Sequence, residues 1–194
     1  MTPGFEIVTL AASAGGLKAL TDVLAALPGN FPAAIAVVQH LDPRHRSLMA
    51  EILGKRTQLR VQEAREGDTL RAGLAFIAPP NRHLLVNPGG TLSLSQSELV
   101  HFVRPSADLL FESTAASFRE RAIAVVLSGT GTDGAMGVKA IKKMGGTVIV
   151  QDESTAEFDG MPRAAQKTGA VDFMLPLHEI APALEKLVRA GEAA

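Results

Sequence analysis

Apolar runs of strand character alternate along this chain with segments of helical period, with no internal repeat and no low-complexity tract. Ile7 to Ala12 reads as a buried strand. Ser13-Ala14-Gly15-Gly16 then turns into a helix on which Leu17, Leu20, Leu24 and Leu27 recur at helical spacing, and Pro28-Gly29 ends it. Ala33 to Gln39 predicts a second buried strand, Leu41 to Arg46 a polar turn, and Leu48 to Lys55 a short helix. The rhythm changes in the middle. Gly73 to Ala78 reads as a strand, and His83 to Val86 and Thr91 to Leu94 flank Asn87-Pro88-Gly89-Gly90, the signal of an antiparallel hairpin. Ser106 stands where it can cap a helix running to about Glu120, with Asp108 in the favourable first turn. Strands over Ala122 to Leu127, Thr147 to Gln151 and Val171 to Leu175 then alternate with helices over Gly134 to Met144, Pro162 to Lys167 and His178 to Arg189.

Continuous apolar strands separated by helices predict the α/β class: a doubly wound, mostly parallel sheet with an inserted antiparallel hairpin and helices on both faces. No linker-like stretch divides the elements, so residues 1–194 read as one domain with a core over about 5–190. Cys, Trp and Tyr are absent, which excludes disulfide scaffolds, Cys-rich zinc sites, thiol nucleophiles and a Tyr proton donor. Nineteen basic against twenty acidic side chains give a net charge of -1, without the basic excess that nucleic-acid binding uses. The longest apolar runs, Ala33 to Val38 and Ala122 to Leu127, are far shorter than a membrane span. Met1 to Glu6 has no signal-peptide pattern, so a soluble, cytoplasmic protein without membrane insertion is expected.

Ligands of an open parallel sheet bind beyond the carboxyl ends of its strands, where loops and helix N-termini converge. Three polar side chains fall there. Ser13 follows the first strand among Ala and Gly neighbours, close to a G-x-S-x-G elbow with Ala11 where the first Gly would stand. Small flanking residues expose such a hydroxyl, and the N–H groups that follow can face an oxyanion. His40 ends the second strand after Gln39, well placed as a general base. Asp133 lies in Ser128-Gly129-Thr130-Gly131-Thr132-Asp133-Gly134-Ala135, where it could orient His40 or cap the following helix. Ser13 as a helix cap and His40 as a structural histidine also stay open. A metal site through His40, Asp42 and His45 is opposed by Arg44, Arg46 and the intervening Pro43, and neither a metal nor a cofactor is expected. A phosphate cradle in the glycine run lacks the G-K-[ST] ending. His83, His101 and His178 read as structural, and Lys139, Lys142 and Lys143 as a wet face. Arg44, Arg46, Arg104 and Arg163 are expected in loops at the same rim, able to attract an acidic partner.

Taken together, Ala12-Ser13-Ala14-Gly15-Gly16, Gln39-His40, Arg104-Pro105-Ser106, the run Gly129 to Ala135 and Gly160-Met161-Pro162 make the chain resemble the catalytic domain of CheB-type chemoreceptor protein-glutamate methylesterases. The resemblance implies a serine hydrolase that demethylates glutamyl methyl esters on receptor cytoplasmic helices, with deamidation of particular receptor glutamines as an accompanying activity. It implies Ser13 as nucleophile, His40 as base and Asp133 as its orienter. Oxyanion and substrate contacts fall to Ala14, Gly15, Thr130 and Arg104. Ala14 stands where well-known members carry Thr, and Thr130 where they carry Met. The first exchange removes a hydroxyl that supports the His, and a backbone N–H survives the second. Typical members begin with a phosphorylatable receiver domain, whereas strand one here starts within ten residues of Met1, so control by a partner, by localisation, or no control at all is expected. Two rivals remain: a serine esterase with another substrate, and a non-catalytic receptor- or partner-binding module.

Overall fold

The computed structural model describes residues 5–41, 44 and 47–192. Seven parallel strands form the main sheet: β1 (Ile7–Ala12), β2 (Ala34–Gln39), β3 (Arg60–Glu63), β4 (Leu74–Ile77), β7 (Ala122–Val126), β8 (Thr147–Gln151) and β9 (Phe173–Leu175). Their spatial order is β3-β4-β2-β1-β7-β8-β9. Strands β5 (His83–Val86) and β6 (Leu92–Ser95) pair antiparallel as a separate hairpin. The helices are α1 (Gly16–Ala26), α2 (Met49–Gly54), α3 (Ala107–Phe118), α4 (Ala135–Lys143), α5 (Gly160–Gln166) and α6 (Leu177–Glu192).

Burial explains which strands the sequence announced. β1, β2 and β7 lie in the middle of the sheet and are buried at every position, as expected where helices cover both faces. Alternate residues of β1 divide between two cores. Ile7 and Ala11 pack with Phe111 of α3, Val138 and Ile141 of α4, Met161 of α5 and the hairpin. Val8, Leu10 and Ala12 pack with Leu20 and Leu24 of α1, Leu53 of α2 and Ile180 and Leu184 of α6. At the sheet edge β3 reads Arg60-Val61-Gln62-Glu63, three of them exposed. Edge position removes the demand for apolar residues, so the hydropathy pattern predicts no strand there.

The chain leaves β1 toward β2 on one side and returns later to β7 on the other. That reversal opens a crevice at the carboxyl ends of β1, β2 and β7.

Candidate active site

The register of the central strands brings the segments that carry Ser13, His40 and Asp133 to that crevice. Ala12 pairs with Gln39 across β1 and β2, so Ser13 and His40 leave adjacent strands at the same level. The His40 N–H donates to Ala12 O at 3.1 Å, and on the opposite flank the Ser13 N–H donates to Ser128 O at 3.0 Å. The His40 Nε2–H donates to Asp133 Oδ2 at 2.8 Å. Nδ1 is therefore the ring nitrogen left for another partner. Gln39, buried at the end of β2, ties the two loops together: its Nε2 donates to Ser13 O at 2.8 Å and to His40 O at 3.0 Å. A glutamine closing an apolar strand was the sequence signal for this clamp.

Asp133 is 3% exposed and accepts four hydrogen bonds. Besides His40, the donors are Ser106 Oγ at 2.8 Å and the N–H groups of Ala107 at 2.6 Å and Asp108 at 3.0 Å. Burial alone would raise its carboxyl above the ordinary value, but the hydrogen bonds from His40, Ala107 and Asp108 outweigh it and hold the group low. The expected helix cap is thus corrected. Ser106 occupies the N-cap position of α3 without a side-chain cap bond, and Asp133 serves the first turn from outside. It caps α3, not the helix that follows it, and holds His40 as well. Asp108 reciprocates, accepting the Gly137 N–H in the first turn of α4 at 2.7 Å. Its carboxyl is raised, chiefly by burial and further by the Asp133 charge, against the lowering effect of the Gly137 and His101 contacts. Glu112, one turn on, is raised by burial and by both aspartates.

Among the described residues, the N–H groups of Ala14, Gly15 and Thr130 donate to no protein acceptor. Ala14 lacks a hydroxyl, but its peptide donor is unencumbered. Ser128 Oγ donates to Ala14 O at 2.8 Å and accepts the Phe158 N–H at 3.0 Å, linking the loops after β1, β7 and β8. Gly15 has φ +72°, and a Cβ there would lie 2.7 Å from Ser128 Oγ and 3.0 Å from Glu157 Cβ. Gly15→Ala is therefore expected to lower stability by about 1–3 kcal/mol through left-handed strain and overpacking, read as a Tm drop of several degrees. Gly129 leaves room for Ser13 itself, since a Cβ would approach Ser13 Cβ to 2.9 Å and Met161 Sδ to 2.3 Å.

Arg104 lines a cavity of about 160 Å³ with His40, but its guanidinium is engaged internally. Nε and Nη2 donate to Asn81 Oδ1 at 3.0 and 2.7 Å, and Nη1 to the carbonyls of Gln96 and Ser97. Arg163 lies in α5 rather than a loop and pairs with Glu153 at 3.0 Å and Asp159 at 2.9 Å. Asp42, His45 and Arg46 lie outside the described residues, while His40 faces Asp133. His83 is fully buried: Nδ1 accepts the Ser106 N–H at 3.1 Å, so Nε2–H donates to Glu98 O at 2.9 Å. On the far side of Ser13, Leu17, Leu41, Met49, Ile52 and Glu157 line an open cleft of about 720 Å³.

The family model described as CheB methylesterase matches residues 8–184. The chain belongs to the CheB methylesterase family. The structure resembles the crystal structure of the Thermotoga maritima CheB methylesterase catalytic domain with a TM-score of 0.92 and 36% identity, covering 95% of this chain and 99% of that one. A protein-glutamate methylesterase/protein-glutamine glutaminase of Moorella thermoacetica is 44% identical over 190 residues, 96% of this chain and 45% of that protein. A relative from Leptospira interrogans is 40% identical over 177 residues, 91% of this chain and 92% of that protein. The chain thus spans about half the length of the first relative and nearly all of the second. The CheB methylesterase match runs through every loop that borders the crevice, from Ser13 to Met161.

Proposed function

We propose that the chain is a serine hydrolase that removes methyl groups from glutamyl methyl esters on the cytoplasmic helices of chemoreceptors, and that it works in the cytoplasm. The observation that carries this reading is the buried Asp133 carboxylate accepting from His40 at 2.8 Å, at a strand end level with Ser13. His40 Nδ1 takes the proton of Ser13 as Oγ attacks the ester carbonyl carbon. The N–H groups of Ala14 and Thr130 receive the developing oxyanion. The bond to the methoxy oxygen then breaks, methanol leaves with the proton from His40, and an acyl-enzyme remains. Water loses a proton to the same nitrogen and attacks the acyl carbon, the bond from that carbon to Oγ breaks, and Oγ takes the proton back from His40 as the glutamate carboxylate leaves. Asp133, kept ionised by its hydrogen bonds, fixes the tautomer and stabilises the imidazolium that forms twice per turnover.

A methyl ester suits this equipment, since its cleavage needs one nucleophile, one proton shuttle and one oxyanion site. Methanol release from a methylated receptor fragment, compared between the unsubstituted chain and Ser13→Ala, tests the reading; equal rates would remove it. Gln39 enters as a positioning residue because one amide holds the backbone of both reacting groups. Gln39→Leu is expected to lower kcat about 10- to 100-fold with little change in KM, as for a small misplacement of reacting atoms. A rise in KM at constant kcat would assign Gln39 to substrate binding instead.

A further inference from the structure

Phe102 is 94% exposed, more than any other large apolar side chain among the described residues. It sits at the tip of a two-residue turn closed by reciprocal bonds, Val100 N–H to Val103 O at 3.1 Å and Val103 N–H to Val100 O at 2.9 Å. The two tip residues, His101 and Phe102, have φ of +50° and +64°. That geometry ordinarily recruits Asn-Gly, and a bulky phenyl in it is strained. A glycine there would relieve the strain and remove the exposed ring together.

The turn is also fastened on both flanks. His101 Nε2–H donates to Asp108 Oδ2 at 3.1 Å, and Asp108 is 2% exposed in the first turn of α3, the same turn that Asp133 caps. Arg104, immediately after the turn, holds Asn81 and the carbonyls of Gln96 and Ser97. Phe102 and the His40–Asp133 pair therefore share one foundation. The cavity between them is walled by His40 and Leu41 on one side and by Leu99, Phe102 and Val103 on the other.

We propose that Phe102, with Leu99 beside it, determines specificity by packing on an apolar side chain of the substrate helix one turn away from the methylated glutamate. This rests on the demethylase reading above. Residues three and four positions from a glutamate share its helix face, about 5–6 Å away. An ester carbonyl presented to Ser13 and His40 thus carries such a neighbour toward the turn. A phenyl carried on a backbone already fixed by the turn bonds costs no loop ordering on contact and only two side-chain torsions, which is how aromatic anchors contribute affinity. His101 acts through Phe102 as its brace. A small ester, having no flanking helix, makes no use of either residue.

The decisive quantity is the ratio of kcat/KM on a methylated helical receptor fragment to kcat/KM on p-nitrophenyl acetate. Phe102→Ala is expected to lower that ratio about tenfold, the effect of one interface anchor. His101→Ala is expected to lower it less, and to lower it no further once Phe102 is already Ala. An unchanged ratio in Phe102→Ala overturns the assignment of Phe102. An equal fall for His101→Ala with and without Phe102 overturns the brace. If the unsubstituted chain hydrolyses p-nitrophenyl acetate but releases no methanol from the fragment, the demethylase reading itself fails, an outcome distinct from both.

Discussion

Ser13→Ala is expected to cut methanol release from a methylated receptor fragment by roughly 10⁴- to 10⁶-fold, the scale on which loss of a serine nucleophile is felt when the rest of its machinery remains. The side-chain change is small and its surroundings tolerate it. Ser13 holds its place through the backbone: its N–H reaches Ser128 O, and its carbonyl receives the Gly16 N–H at 2.8 Å and Gln39 Nε2. None of these bonds uses Oγ. The variant should therefore fold with an unchanged Tm and still bind the fragment. An activity loss with unchanged stability is what separates a nucleophile from the helix-cap role, in which removal of a capping hydroxyl would cost about 1 kcal/mol of stability and leave turnover intact. A Ser13→Ala chain that keeps its rate while its Tm falls would assign the hydroxyl to the helix.

The sequence carried those features that local patterning enforces. β1, β2 and β7 were legible because a strand covered on both faces is apolar almost throughout until it reaches the rim, the one buried exception in β1, Thr9, donating its hydroxyl to Ile123 O. For the same reason the polar residues that follow them, Ser13, His40 and, within the glycine-rich run after β7, Asp133, marked the crevice. The hairpin was legible from Asn87-Pro88-Gly89-Gly90. What escaped were relations between distant segments. β3 carries no apolar signal because one of its sides faces no neighbouring strand. Asp133 and Asp108 each cap the helix that the other's segment begins, and residues about 25 positions apart leave no periodic trace of such an exchange. The charge of Arg104 suggested a partner, yet the side chain is spent on Asn81 and on carbonyls of its own loop. Phe102 was silent because, among Leu99, Val100 and Val103, it reads as one more apolar residue, and nothing in the pattern says that it faces solvent.

The exchange of caps has its largest consequence at Asp133. Asp133→Asn is expected to lower kcat about 10⁴-fold, and also to destabilise the fold by about 1–3 kcal/mol. Four donors converge on the two carboxylate oxygens, and an amide can serve only the two that meet its single oxygen. If that oxygen keeps Ser106 Oγ and the Asp108 N–H, the new NH₂ confronts the Ala107 N–H and His40 Nε2. The Ala107 donor is then buried without an acceptor, which accounts for the stability loss. His40 meets the NH₂ by accepting at Nε2, and its proton moves to Nδ1, the nitrogen that has to take the proton of Ser13. The base is occupied although the ring has not moved. The two losses part company as the pH falls. Because Asp133 is depressed in the folded chain, its stabilising contribution is present above the unfolded carboxyl value of about 3.9 and is lost as pH drops through the lower folded value. Denaturation midpoints of the two chains should accordingly differ most near neutrality and converge in acid. Asp108 and Glu112, raised chiefly by burial and in part by the Asp133 charge, contribute with the opposite sign, and their relief in the Asn chain offsets part of that difference near neutrality. A gap that stayed constant into strong acid would mean that the Asp133 charge contributes nothing to the fold and that the effect of the substitution is one of shape alone.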